Sequence, residues 1–448
     1  MTAVLLCLFA QATSPAIQVK IDPRVELLTA VFRLIGAGEF NMSSSESPYS
    51  RRLDAYLKPY KNHPAVTMTE QLREKAGIGF DTVLWLAVHV DGIRNPHMLQ
   101  GGNKEDKSKL WKQADLDKYL PLLGDFVRDS KFEDFLKSEE PYFTQATKSL
   151  ENLLARKPVA EWLKDFYGAP PSPKSYAIVG LLCGGGNYGV SFRYANEEIA
   201  AMPVLGAGEF DKDGLPVYGE GDLGLILHEF SHPYINHEVA KFPEITKYGK
   251  PLFGLTKASL AANAYGEAQA VMFETYTRAA ENNILQRFAP ELVEANIIEH
   301  RSKCFLWESD IVDALKEASR NRVPISERIK MTIPVLEKLS KNSKQLLDRC
   351  PKVKELRTSK PDSDGVVVVQ VEFDQPMNKS SRGLFISPQG YEIVKKSEFD
   401  ESGKVVQLSV RFKKGVKYEL ALNPFGSGYL SKTGYPVQKV KKTFELKN

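Results

Sequence analysis

Histidine is scarce in this chain, seven in 448 residues, and cysteine is scarcer still, at four. So few cysteines exclude a small scaffold held together by disulfides. No run approaches the roughly 20 consecutive apolar residues of a membrane-crossing helix, so no integral membrane span is expected. Neither sign of charge dominates. The 60 Lys and Arg against 56 Asp and Glu leave a formal charge of +4, scattered rather than gathered in a stripe, which argues against a nucleic-acid partner. Internal repeats and low-complexity tracts are also missing. What is present is a globular balance, 42% hydrophobic and 26% charged, in a chain long enough for two or three domains.

The amino terminus reads MTAVLLCLFAQATSPA, a short apolar run followed by Ala10-Gln11-Ala12, the small-x-small pattern that precedes secretory cleavage. Residues 1–12 are therefore read as a signal peptide, and the protein as exported to the periplasm, the cell surface or the medium. No Lys or Arg precedes the run, and bulky Leu6 before Cys7 argues against a lipoprotein anchor. Three cysteines follow the leader. Cys183, within IVGLLCGGG, reads as a small buried hydrophobe, whereas Cys304 and Cys350 flank a helical stretch and are the pair an oxidising compartment could join.

From PRVELLTAVFRLIG to about residue 168 apolar residues recur at three- and four-residue steps, as in FDTVLWLAVHVDG and PVAEWLKDFYG. This periodicity predicts a helical layer. Short β-type runs follow, SYAIVGLL, YGVSFRYA and EIAAMPVLG, separated by turns such as CGGGN, which lacks the lysine and hydroxyl of a phosphate loop. Helical pattern then resumes as far as LLDRC. Beyond Cys350 the character changes to GVVVVQVEF, KVVQLSVRF and VKYELALN, broken by PDSDG, DESGK and NPFGSG. The expected organisation is a mostly helical α+β domain with a small β-sheet over residues 18–350, then an all-β sandwich module over 353–448.

The segment GLILHEFSHPYINHEV concentrates three of the seven histidines. His228-Glu229-Phe230-Ser231-His232 is the H-E-x-x-H pattern. Positions four apart share one face of an α-helix, so both imidazoles can address one metal ion, while Glu229 stands beside it. A carboxylate placed there can take the proton of a water that Zn²⁺ acidifies to a pKa of about 7. Asp222 is a candidate N-cap for this helix. Pro233 cannot donate to the carbonyl of Glu229 and biases His232 away from the α region, so the helix is expected to end or kink just after the second histidine.

A catalytic zinc takes three protein ligands and leaves one place open. Candidates for the third are His237 and two glutamates of NAYGEAQAVMFETYTRAAE. Glu267 and Glu274, seven apart, are expected to share a helix face, so that one ligates and the other hydrogen-bonds a ligating imidazole.

The H-E-x-x-H helix followed by a glutamate on a second helix resembles the gluzincin branch of the zincin metallopeptidases. VKIDPRVELLTAVFRLIG, YKNHPAVT, GFDTVLWLAVHVDG, HEFSHPYIN and FETYTRAA resemble segments of a family of exported bacterial proteins described as a domain of unknown function, over roughly residues 18 to 345. VEFDQPMNKSS and YELALNPFGSGYLSKTGYPV resemble bacterial Ig-like domains. The resemblance implies zinc held by His228, His232 and Glu274, Glu229 as general base, and a peptide or protein substrate. It also implies an upstream strand, NYGVSFRYA, that adds the substrate backbone to a sheet edge. An oxyanion donor is implied as well, for which Tyr234, Tyr265 and Tyr276 stay open. Position 235 is Ile and position 238 is Glu, so the longer metzincin pattern is absent. The expected activity is that of a zinc-dependent peptidase. The other readings are an inactive zincin scaffold that binds a partner, and a surface adhesin or glycan-binding protein acting through its β module.

Overall fold

A computed structural model describes residues 17–101, 110–262, 265–424 and 428–446. The expected signal peptide, residues 1–12, and Cys7 lie outside the described residues. The chain divides into two compact units, one ending at Tyr234 and the other beginning at Ile235. The helix Leu223–Ala240 runs through that division.

The first unit is predominantly helical, and its early helices start where the sequence sets a cap ahead of a proline. Asp22-Pro23, Ser47-Pro48 and His63-Pro64 open the helices Pro23–Leu34, Pro48–Leu57 and Pro64–Ala76. Proline at the first helical position gives up a backbone N–H that has no partner in the helix anyway. The residue before it accepts one of the remaining N–H groups. Asp22 takes that of Arg24 at 3.0 Å, Ser47 that of Ser50 at 3.1 Å, and His63 Nδ1 that of Ala65 at 3.1 Å. Further helices span Asp81–His89, Gln113–Asp129, Phe132–Ala146, Lys148–Arg156 and Val159–Tyr167.

A three-stranded parallel sheet completes this unit. Tyr176–Gly180 is central, with Gln18 opposite Tyr176 on one side and Val204 opposite Ile178 on the other. The central strand is almost wholly buried, which is why it reads as a continuous apolar run without alternation. Beside it, Ser191–Arg193 and Ile199–Ala201 form an antiparallel pair.

One group inside this unit is out of place by charge. Glu26 is fully buried, receives a hydrogen bond from the Tyr49 hydroxyl at 2.6 Å on Oε2, and has no partner for Oε1. Burial pushes its carboxyl up to about 8 against the partial relief given by Tyr49. Asp22 shows the opposite balance. Burial works to raise its carboxyl, but the Arg24 guanidinium, 2.6 Å away, and the neighbouring Lys20 hold it down to about 2.

The second unit begins with helices, Pro243–Ala262, Ala268–Phe288, Val293–Ser302, Glu308–Ser319 and Ile325–Lys341, and ends in strands. One antiparallel sheet has the order Glu392–Phe399, Val405–Arg411, Val366–Phe373, Val353–Thr358. Another has the order Leu384–Ser387, Lys417–Leu422, Val440–Glu445. Alternate residues of Val366–Phe373 point inward, and Val367, Val369, Val371 and Phe373 share one apolar core with Tyr418, Leu420 and Leu422 of the other sheet. The strand-rich character expected from residue 353 onward is thus present.

Within this unit the β part is joined to the helices by close contacts. Gly434, at φ +89°, presses on the Val293–Ser302 helix, where a Cβ would come within 2.6 Å of the Ile298 carbonyl oxygen. Arg301 donates to the Thr433 carbonyl at 2.9 Å and lies over the Tyr435 ring, 4.5 Å from its centroid. Cys304 and Cys350, the expected candidate pair, are not joined in a disulfide, nor is Cys183 part of one, and all three are buried. Burial pushes the Cys350 thiol up to about 12 and raises the other two as well.

Candidate metal centre

The helix Leu223–Ala240 carries the site because its sequence is apolar on nearly every side. Leu223, Ile226, Leu227, Phe230, Ile235 and Val239 are all buried, so the rod is fixed and the polar groups it carries are fixed with it. The turn that precedes it is closed by Asp222, whose carboxylate accepts the Gly219 N–H at 2.7 Å. Asp222 thus closes that short 3-10 turn and stands immediately before the first residue of the helix, the position expected of its N-cap.

The helix does not end at His232. It continues through Pro233 to Ala240, so of the two outcomes expected from the proline, an end or a kink, the end does not occur. Proline costs a helix interior about 3 kcal/mol, chiefly a missing N–H and a crowded carbonyl four residues back. Burial of Ile235 and Val239 in the following turns offsets that cost. The carbonyl left without its helical donor is that of Glu229, and Gly189 faces it. A Cβ on Gly189 would come within 2.8 Å of this oxygen and within 2.7 Å of both Cβ and Cδ2 of His232.

His228 and His232 lie one turn apart as the spacing predicts. Their Nε2 atoms are 3.1 Å apart, and the rings meet edge to face at 89°. Glu229 Oε2 is 3.9 Å from His232 Nε2. His228 is 6% exposed and Glu229 5%, while the His232 side chain is 12% exposed, so the cluster is sheltered but reachable.

These residues fit a zinc ion. Two nitrogens on a tetrahedral zinc at about 2.05 Å stand about 3.3 Å from each other, close to the separation found. The ligand atoms of His228, Glu229 and His232 all lie within 4.8 Å of one another, and no other such His, Cys, Asp or Glu cluster occurs among the described residues.

The other expected site residues fall as follows. His237 is exposed on the same helix and lies outside the ligand cluster. Glu267 does not share a helix face with Glu274. It has extended backbone, φ −137° and ψ 147°, and precedes the helix Ala268–Phe288 as its cap residue, at a bend of the chain just before the helix begins. Glu274 is on that helix, in the second unit. Tyr265 donates to its Oε2 at 3.3 Å, and Arg278 Nη2 reaches the same oxygen at 3.1 Å and the Tyr265 hydroxyl at 3.0 Å.

Arg278 is itself buried beside a polar network that spacing could not reveal. Asn282 donates to Glu308 Oε1 at 2.8 Å, and His300 Nδ1 stands 2.7 Å from the same oxygen. Of the three tyrosines left open as oxyanion donors, Tyr276 is fully buried and engaged with Thr332 at 2.6 Å, and Tyr265 is engaged by Glu274 and Arg278. Tyr234 stacks on Tyr167, its hydroxyl buried without a hydrogen-bond partner, and burial pushes it up to about 12.

The fold and site define a mixed protein, helical in its amino-terminal part and strand-rich at its carboxyl end, with a His-Glu-His cluster suited to a metal. It belongs to the family described as Domain of unknown function (DUF4932), whose model matches residues 17–327. No curated protein matches the chain. Among solved structures, "Structure of surface layer protein SbsC, domains 1-6" is similar at 14% identity and a TM-score of 0.18, over 50% of this chain and 33% of that one. "Crystal structure of the S-layer protein rSbsC(31-844)" matches at 16% identity and a TM-score of 0.18, over 47% of this chain and 33% of that one. The chain thus spans about a third of the length of these structures. No helix among the described residues is long and apolar enough to cross a membrane.

Proposed function

We propose that the chain is an exported zinc-dependent peptidase of gluzincin type. The observation that carries this reading is the 3.1 Å approach of the His228 and His232 Nε2 atoms on a buried helix, with the Glu229 carboxylate beside them. His228 and His232 would hold the ion, and the sequence resemblance assigns the third ligand place to Glu274. Zinc in such a site supplies a Lewis acid and brings the pKa of its water near 7.

The remaining chemistry belongs to Glu229. Its carboxylate takes a proton from the attacking water and returns it to the departing amine, the two halves of general acid–base catalysis. The shelter of the cluster strengthens each charge interaction there by lowering the local dielectric. The strand segment expected to align the substrate passes beside the helix, since Gly189 abuts His232, which supports its assignment as the backbone-binding edge. The carboxy-terminal sheets fit the role of an Ig-like spacer or attachment element.

The test is Glu229→Gln. Hydrolysis of a broad peptide library should fall by at least about a hundredfold while zinc content is unchanged. An unaltered protein that carries zinc and cleaves nothing would instead make it a binding scaffold. Ligand binding by residues 353–448, undiminished after metal removal, would favour the adhesin.

A further inference from the structure

We propose that Gly189 and Pro233 act together as positioning residues for the metal ligand His232. This inference rests on the reading of His228 and His232 as zinc ligands, and its observations all lie around one end of the histidine pair. Pro233 removes the N–H that would tie the Glu229 carbonyl into the helix ladder. That carbonyl and the His232 side chain together form the surface against which Gly189 closes. A Cβ at 189 would stand 2.7 Å from two atoms of His232 and 2.8 Å from the Glu229 oxygen, nearer than carbon atoms approach without something shifting. Backbone freedom is not the reason for glycine here, because Gly189 is not among the positive-φ residues. The requirement is space.

The consequence for the ligand is a fixed ring. His232 has backbone packed along its Cβ and Cδ2 edge, which leaves Nε2 directed at His228. Ligand orientation of this kind is worth about ten- to a hundredfold in metal affinity when it is lost. Pro233 contributes by withholding its N–H from the Glu229 carbonyl, so the segment before the Ser191–Arg193 strand packs against an oxygen that is not drawn toward residue 233. A helix-forming residue at 233 would draw that carbonyl back toward the helix axis and loosen the contact.

The experiment is a zinc titration of metal-stripped full-length protein against a chromophoric chelator, with the cobalt absorption spectrum as a report on coordination geometry. Gly189→Ala should weaken zinc binding about tenfold or more and alter the cobalt spectrum. Gly185→Ala, with nothing within 4 Å of the added carbon, should change neither. Gly249→Ala, crowded at 2.5 Å by Met272 in the other unit, should lower the melting temperature and leave zinc affinity intact.

Pro233→Ala gives the sharper contrast, because a better helix former should raise the metal-free melting temperature while weakening zinc binding several-fold. Stabilisation by Pro233→Ala with unchanged affinity overturns the proposal, as does wild-type affinity in folded Gly189→Ala protein. Absence of zinc binding by the unaltered protein overturns this inference together with the peptidase reading. Normal binding that is insensitive at 189 and 233 removes the inference alone.

Discussion

Replacing Glu26 by glutamine should flatten the pH dependence of the first unit's stability. The carboxyl is fully buried with one oxygen unpartnered, and it titrates at about 8 in the fold against 4.5 for the ordinary group. Below pH 4.5 the group is neutral whether the chain is folded or not, and folding bears no charge penalty. Between 4.5 and 8 the unfolded chain ionises and the folded one does not, so stability present at low pH is lost as pH rises, until both forms are charged above 8.

The gap of about 3.5 pH units corresponds to a ceiling of about 5 kcal/mol, at about 1.4 kcal/mol for each unit. Glutamine keeps the acceptor for Tyr49 and cannot ionise. It leaves amide N–H groups without an identified acceptor, so it should cost about 1–3 kcal/mol at pH 5 and exceed the wild type in stability at pH 9. Urea titrations from pH 5 to 9, followed by tryptophan fluorescence, suit the question, because Trp85, Trp111 and Trp162 lie in this unit and only Trp307 in the other. Wild-type and variant midpoints that run parallel over this range would refute the buried, neutral carboxyl.

Three further outcomes follow from the same structure. Zinc at a hundred times its Kd should stabilise the metal-stripped protein by about 2.7 kcal/mol, seen as a chelator-reversible rise in Tm, and His228→Ala should abolish the rise. Glu308→Ala strips the buried acceptor from Asn282 and His300 and removes one of the carboxylates facing Arg278, so the second unit should lose about 3–5 kcal/mol in a denaturant titration followed through Trp307. Gly434→Ala should cost more than Gly365→Ala. Both glycines have positive φ, worth about 1–2 kcal/mol, but only position 434 meets backbone at 2.6 Å, and the difference between the two thermal shifts measures that contact.

Much of the site was readable in the sequence because its central rule is local. Two histidines four apart on a helix must share a face, and His228 and His232 do. The helical layer before residue 168 and the strands after 353 were legible for the same reason, since periodicity needs only neighbours in the chain. The misreadings occur where a local preference met a tertiary one. An end of the helix after His232, one of the two outcomes expected from Pro233, does not occur, because burial of the turns beyond it carries the helix on to Ala240. Glu267 fits the seven-residue spacing to Glu274, but the chain is not yet helical there. Gly189 gave no sign of its role, because a close approach to His232 depends on the segment before the Ser191–Arg193 strand being brought against the helix by folding, and a single glycine carries no mark of what it will face.

The sealed thiols have a practical side. Cys183, Cys304 and Cys350 are unbridged, shielded from solvent and too weakly acidic to be reactive near neutrality. Those three positions give the described fold no covalent link for a reductant to cut and little exposed sulfur for an oxidant to find. Dithiothreitol, which would compete with the histidines for zinc, has no bridge among these three positions to protect or to cut, so metal content can be measured on protein prepared without it.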